Sequence, residues 1–156
     1  MAESGAGWSI RRALESDAEA ISQVIVQTLR LSNAQDYPPD VIERVASNFD
    51  ADGVRQLMAS RQVFVLLDKA RVVATASLAG DVVRSVFVLP VVQGRGLGKA
   101  LMRYVERVAR DAGVQRLLVP ASLTAVSFYA ALGYSVIREV VEGDERTQVM
   151  ARVLSG

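Results

Sequence analysis

The sequence predicts one α/β domain built around a mixed sheet, and three observations carry that expectation. Residues 63–67, 72–78 and 82–88 are apolar runs joined by short turns, the pattern of an antiparallel meander. An amphipathic stretch at 97–112 then leads to another apolar run at 116–120, and a strand reached through a helix pairs parallel to the one before it. Hydrophobic residues make up 51% of the 156 positions against 22% charged, which favours a packed core over a disordered chain. The full order reads β-α-α-β-β-β-α-β-α-β-β, a mixed, mostly antiparallel central sheet flanked by helices. It differs from the order of a doubly wound nucleotide-binding domain.

Taken in order, residues 1–7 read as a flexible leader and 8–156 as a single domain. Trp8 to Arg12 alternates as a first strand. Ser16 and Glu19 read as a capping box for a helix over 17–31, with Ile21, Val24, Ile25, Thr28 and Leu29 on its buried face. Pro38-Pro39 ends a polar loop, and Pro39 suits the first turn of a second helix carrying Val41, Ile42, Val45 and Phe49. Asp50 to Gly53 interrupts that helix, and 54–58 adds a short helical piece. Asp68-Lys69-Ala70 and Gly80-Asp81 are the turns of the meander. Leu97, Leu101, Val105 and Val108 keep helical spacing up to Gly113, a natural C-cap. A helix over 124–132 closes at Gly133, and 134–141 and 147–153 form a last hairpin around Glu142-Gly143-Asp144.

Composition removes several chemistries. The chain has no cysteine and no histidine, which excludes disulfides, an acyl-cysteine intermediate, imidazole or thiolate metal sites and a histidine base. Proton transfer is left to carboxylates, tyrosines, lysines, the backbone or water. A net charge of +1 advertises neither nucleic acid nor an anionic membrane as a partner. The first residues lack the basic and apolar regions of a signal peptide, and no apolar run reaches transmembrane length, so a soluble cytoplasmic protein is expected.

The chemistry concentrates after residue 88. Gln93-Gly94-Arg95-Gly96-Leu97-Gly98-Lys99 joins a strand to a helix, and such a loop suits an anion: glycines admit close backbone approach and the first helical N–H groups point at the ligand. Arg95 and Lys99 add charge there. A Walker loop is excluded because only three residues separate Gly94 from Gly98, and Ala100 stands where a hydroxyl would hold magnesium. The strict alternation of Gly94, Gly96 and Gly98 equally excludes the dinucleotide fingerprint.

What fits is Gln-x-x-Gly-x-Gly. It resembles the acyl-coenzyme A pyrophosphate loop of the GNAT superfamily of N-acetyltransferases, as do the preceding Val-x-Val-x-Pro and the element order. A second segment, Ser122 to Tyr134, resembles the family's Ala-x-x-Phe-Tyr-x-x-x-Gly-aromatic pattern through Ala125, Phe128, Tyr129, Gly133 and Tyr134. The resemblance implies a GNAT fold and acetyl-CoA as donor, with no metal. It also implies transfer of an acetyl group to an amine of a small molecule or peptide by direct attack in a ternary complex. Tyr129 would protonate the departing thiolate, and the Val88 backbone would donate to the carbonyl oxygen. Val86, Phe87, Val88, Gln93, Gly94, Arg95, Gly96, Leu97, Gly98, Lys99, Ser122 and Phe128 would hold the cofactor; the family commonly has Asn where this chain has Ser122.

The acceptor side is written less clearly. Leu29, Asp36, Tyr37, Phe64 and Ser77 are candidate lining residues, each equally explained by packing or loop structure. Some relatives place a glutamate or histidine on the fourth strand as base; the matching position is Val82, and no base is assigned. The acceptor's identity and the oligomeric state, including a homodimer, stay open. A non-catalytic acyl-CoA sensor and an aminoacyl-tRNA-acetylating toxin are the rival readings.

Overall fold

A computed structural model describes residues 3–5, 7–32, 34, 37–143 and 145–154. Eight strands form one sheet in the spatial order β1-β2-β3-β4-β5-β6-β8-β7. The strands are β1 (Glu3–Gly5), β2 (Trp8–Arg12), β3 (Gln62–Asp68), β4 (Arg71–Ala79), β5 (Val82–Val88), β6 (Arg116–Ser122), β7 (Ser135–Glu142) and β8 (Glu145–Val153). The helices are α1 (Ala18–Ser32), α2 (Pro39–Ser47), α3 (Ala51–Ser60), α4 (Leu97–Asp111) and α5 (Val126–Ala131). Every neighbouring pair is antiparallel except β5 and β6. No helix among the described residues is long and apolar enough to cross a membrane.

Side-chain alternation divides the sheet between two helical layers. On one face Val63, Thr75 and Ser77 meet Ile21 and Ile25 of α1 and Val54 and Leu57 of α3. On the other, Phe64 packs edge-on against Tyr104 of α4, with ring centroids 5.4 Å apart. β4 is buried along nearly its whole length because both faces are covered, so it reads as a continuous apolar run without alternation.

Four local expectations are corrected. Glu3–Gly5, assigned to the leader, pairs with β2 as an edge strand. The cap before α1 is not Ser16 with Glu19: the Leu14 N–H donates to Asp17 Oδ2 at 2.7 Å, and Arg11 holds that carboxylate from outside. The ion pair and the backbone donor favour Asp17 over Ser16 because a charged acceptor makes the stronger bond. Asp50 does not merely interrupt a helix; it caps α3 by accepting from the Gly53 N–H at 2.7 Å. Finally, α5 is shorter than the spacing suggests, because residues 123–125 form a 3-10 turn.

Candidate active site

Two irregularities in β5 create the site. Thr75 pairs with Phe87 and Ser77 with Arg84, so Ser85 and Val86 together oppose Ala76 in a bulge. Ser85 takes a left-handed φ of 56°, and the Ser77 hydroxyl donates to the Arg84 carbonyl at 2.7 Å to hold the kink. β5 then pairs with β6 only at Val82 and Leu118, and the two strands diverge beyond that point. β6 instead pairs along its length with β8, which leaves a wedge between the C-terminal ends of β5 and β6.

The orientation of Val88 follows from the ladder. Leu89 N–H donates to Val73 C=O at 2.9 Å, so the neighbouring pair, Ala74 and Val88, is of the non-hydrogen-bonded type. The Val88 N–H and C=O therefore point away from β4, toward the wedge. Its carbonyl accepts from Gln93 Nε2 at 3.0 Å. Phe87 is in register to bond β4, and its ring packs edge-on against Phe49 on the α1 side. Val86 lies half-buried in the bulge.

The glycine loop continues from there. Gly94 and Gly96 have φ values of 86° and 76°, which any L side chain adopts only at a cost. The first helical bond of α4 runs from Ala100 N–H to Gly96 C=O at 3.0 Å, so the N–H groups of Leu97, Gly98 and Lys99 precede it and face out of the helix start. Leu97 is core by its side chain and offers only its backbone. Gly98 is glycine for a different reason: a Cβ there would stand 3.2 Å from Phe128 Cζ and 3.4 Å from Val88 Cγ2. Arg95 pairs with Asp68 at 2.7 Å, while Lys99 is exposed. This loop fits a pyrophosphate: backbone donors, a helix N-terminus and nearby cations share one end of the wedge.

Phe128 links the loop to Tyr129, their ring centroids being 5.0 Å apart. Tyr129 is 5% exposed, and among the described residues its hydroxyl has no hydrogen-bond partner. Burial pushes that hydroxyl above the usual phenol range, so it stays protonated near neutral pH. Ser122 ends β6 opposite Thr147, at the lip of the wedge.

Sequence reading missed a buried charge cluster behind Tyr129. Glu106 of α4, 2% exposed, accepts from Tyr134 Oη at 2.6 Å and pairs with Arg103 at 2.8 Å and Arg152 at 2.9 Å. Tyr134 packs edge-on against Tyr129 at 5.8 Å, so the cluster braces the ring from behind. Burial and the bond to Glu106 both raise the Tyr134 hydroxyl pKa. One signal existed: Glu106 breaks the otherwise apolar stripe of Met102, Val105 and Ala109.

The proposed acceptor residues separate. Leu29 and Tyr37 line a pocket of about 160 Å³ with Val41, Ile42 and Val45 of α2. Phe64 does not join them, because alternation sends it to the α4 face against Tyr104. Ser77 is 2% exposed and serves the β5 bulge; its hydroxyl also accepts from Arg61 Nη1 at 3.4 Å. Asp36 lies outside the described residues. A larger groove of about 290 Å³ adjoins the α2 pocket, and the two share Glu145 and Thr147.

Comparison with known proteins agrees with this geometry. Curated relatives include an uncharacterized N-acetyltransferase of Prochlorococcus marinus, 37% identical over 42% of this chain and 39% of that protein. Another is a chloroplastic serotonin N-acetyltransferase of rice, 34% identical over 58% of this chain and 50% of its own length. The chain thus spans half or less of these two relatives. An N-acetyltransferase structure from Rhodopseudomonas palustris superposes with a TM-score of 0.88 at 24% identity, over 97% of this chain and 99% of that one. The PaiA N-acetyltransferase of Thermoplasma acidophilum, solved with coenzyme A, gives 0.79 at 15% identity, over 95% and 99%. Residues 33–150, well over half of the sequence, match the acetyltransferase (GNAT) domain, and the chain belongs to that family.

Proposed function

We propose that this chain is an acetyl-CoA-dependent N-acetyltransferase in which an amine attacks the donor directly within a ternary complex. The observation that carries the reading is the wedge between β5 and β6, with the Val88 N–H turned into it and the glycine loop at its end. Family membership supports the reaction class, and the coenzyme A seen in the Thermoplasma relative supports the donor. Bound acetyl-CoA supplies an activated thioester.

The residues then divide the work. Backbone N–H groups from Gly94 to Lys99 hold the pyrophosphate, and Val86, Phe87, Ser122 and Phe128 line the path of the arm. The Val88 N–H donates to the acetyl carbonyl oxygen as it gains charge, and being fixed by the sheet it needs no reorganisation. Tyr129 gives its proton to the sulfur as the C–S bond breaks and the N–C bond forms. The absence of cysteine supports direct attack over an acyl-cysteine route. An alkylamine of pKa about 10.4 is neutral in only about 0.04% of molecules at pH 7, so the ammonium proton must leave to water or a carboxylate before attack.

Thiol release from acetyl-CoA, measured with a panel of primary amines, tests this directly. Amine-dependent release is expected. Tight acetyl-CoA binding without release for any amine would instead make the chain a cofactor sensor.

A further inference from the structure

The larger groove is lined by side chains from four strands and has a plain division of charge. It lies on the sheet face turned away from α4, because Leu118 and Pro120 point into it while Leu117, Val119 and Ala121 are buried on the other side. Strand register places its residues in rows. Val82 pairs with Leu118, and Arg84 and Pro120, each two residues further along its strand, both line the groove; Pro120 pairs with Val149, and Val149 with Arg138. Arg84 on β5 and Arg138 on β7 thus flank an apolar floor from its two sides. The next row of the same face holds Ser122, Thr147 and Val140, where the wedge opens. One row further, Glu142 and Glu145 face each other across the hairpin.

The arginines at this end lack counter-charges. Among the described residues neither Arg84 nor Arg138 pairs with a carboxylate, although Arg11, Arg30, Arg55, Arg95 and Arg103 all do. The Arg61 guanidinium, just past α3, donates among the described residues to the Ser77 and Ser85 hydroxyls at 3.4 and 3.3 Å. Its pKa is lowered by burial and by the charge of Arg84 beside it. Like charges held together at the rim of a groove create a positive potential that an anion would relieve. At the opposite end, Glu145 is held only loosely by Arg44 at 3.8 Å and joins the groove to the α2 pocket.

We propose that this groove takes the acceptor, and that the acceptor is an amine bearing a carboxylate about 7 Å from its nitrogen. The carboxylate is received by Arg84 and Arg138 over the Pro120 and Val149 floor. The amine lies at the Thr147 row, at the mouth of the wedge, with Glu145 on its far side. The spacing comes from two residues of strand at about 3.4 Å each. Two arginines set against two glutamates match a zwitterion better than a dianion or a simple diamine. The inference rests on the acetyltransferase reading and adds the substrate class to it.

The test compares 5-aminopentanoate with pentylamine, two amines of equal chain length differing in the carboxylate, by thiol release at saturating acetyl-CoA. The wild-type protein should favour 5-aminopentanoate in kcat/KM by roughly tenfold or more, the scale of a charge-assisted hydrogen bond. Arg84→Gln and Arg138→Gln should each collapse that ratio, mainly through KM, and Arg84→Lys should restore part of it. Equal use of both amines, or a ratio indifferent to the arginine substitutions, would overturn the inference while leaving the transferase reading intact. No release with any amine, while calorimetry still shows acetyl-CoA binding, would overturn the transferase reading beneath it.

Discussion

The donor side of the wedge draws its parts from short, continuous stretches of chain, whereas the groove on the far face draws on β5, β6 and the β7–β8 hairpin, which lie apart in sequence. Gln93 to Lys99 acts largely through backbone groups, which leave a sequence trace only where glycine or a tight turn is required, while Ser122 to Tyr134 supplies the Phe128 ring and the Tyr129 hydroxyl from one short segment. Arg84, Arg138, Glu142 and Glu145 meet because β8 inserts between β6 and β7. No spacing rule in the sequence announces that insertion. The donor side is therefore a motif and the acceptor side a consequence of topology. Divergence in the second can alter the substrate without touching the first.

The largest expected effect tests the donor side at its reacting end. Tyr129→Phe keeps the ring contacts to Phe128 and Tyr134 and removes only the hydroxyl, which has no partner to lose among the described residues. Turnover should fall by roughly 10²- to 10⁴-fold, the range for one general acid, with acetyl-CoA affinity nearly unchanged. Unaltered turnover with chemistry rate-limiting would remove Tyr129 from the mechanism. Its proton predicts a pH profile as well. Because the hydroxyl pKa is raised, the acid remains protonated through neutral and mildly alkaline pH, so kcat/KM should climb with amine deprotonation and show no Tyr129 limb below about pH 10.

Next comes the brace behind the ring. Glu106→Gln leaves Arg103, Arg152 and the Tyr134 hydroxyl without their common anion. The arginines are about one-third exposed, so water recovers part of the loss, and roughly 2–3 kcal/mol of stability is expected to go. Thermal melting should fall by about 4–12 °C in a domain of this size. Tyr134 adds an alkaline signature: its pKa is higher folded than unfolded, so the folded state binds more protons above about pH 10. That contribution is present at neutral pH and is lost as pH rises above the unfolded value. Tyr134→Phe should flatten the decline of stability above about pH 10.

These contrasts show what the sequence could and could not express. The meander, the parallel return through α4 and the glycine loop were legible because each depends on local periodicity or a turn. The cap of α1 is not legible because Arg11 decides it from the preceding strand, a contact invisible in the local pattern of Ser16 and Glu19. Phe64 suits an acceptor lining and a core position equally in the sequence, and strand parity places it against Tyr104 of α4. The wedge is not legible at all, since loss of pairing between β5 and β6 has no signature in either strand. Glu106 was visible as a charge inside an apolar stripe, but its three partners come from α4, the segment before β7, and β8.

The smallest expected effect asks whether Arg95 belongs to the donor side at all. Its guanidinium is engaged by Asp68 at 2.7 Å, which raises the arginine pKa and lowers that of the carboxylate. If Arg95 also serves the pyrophosphate, Asp68 competes with the ligand for it. Asp68→Asn should then lower the KM for acetyl-CoA by roughly two- to fivefold, the scale of one exposed ion pair, and the gain should fade at high salt. Arg95→Gln should raise KM by a similar factor, and the two substitutions together should match Arg95→Gln alone. A KM that ignores Asp68→Asn would mean that Arg95 secures the loop to the end of β3 and leaves the pyrophosphate to Lys99 and the backbone.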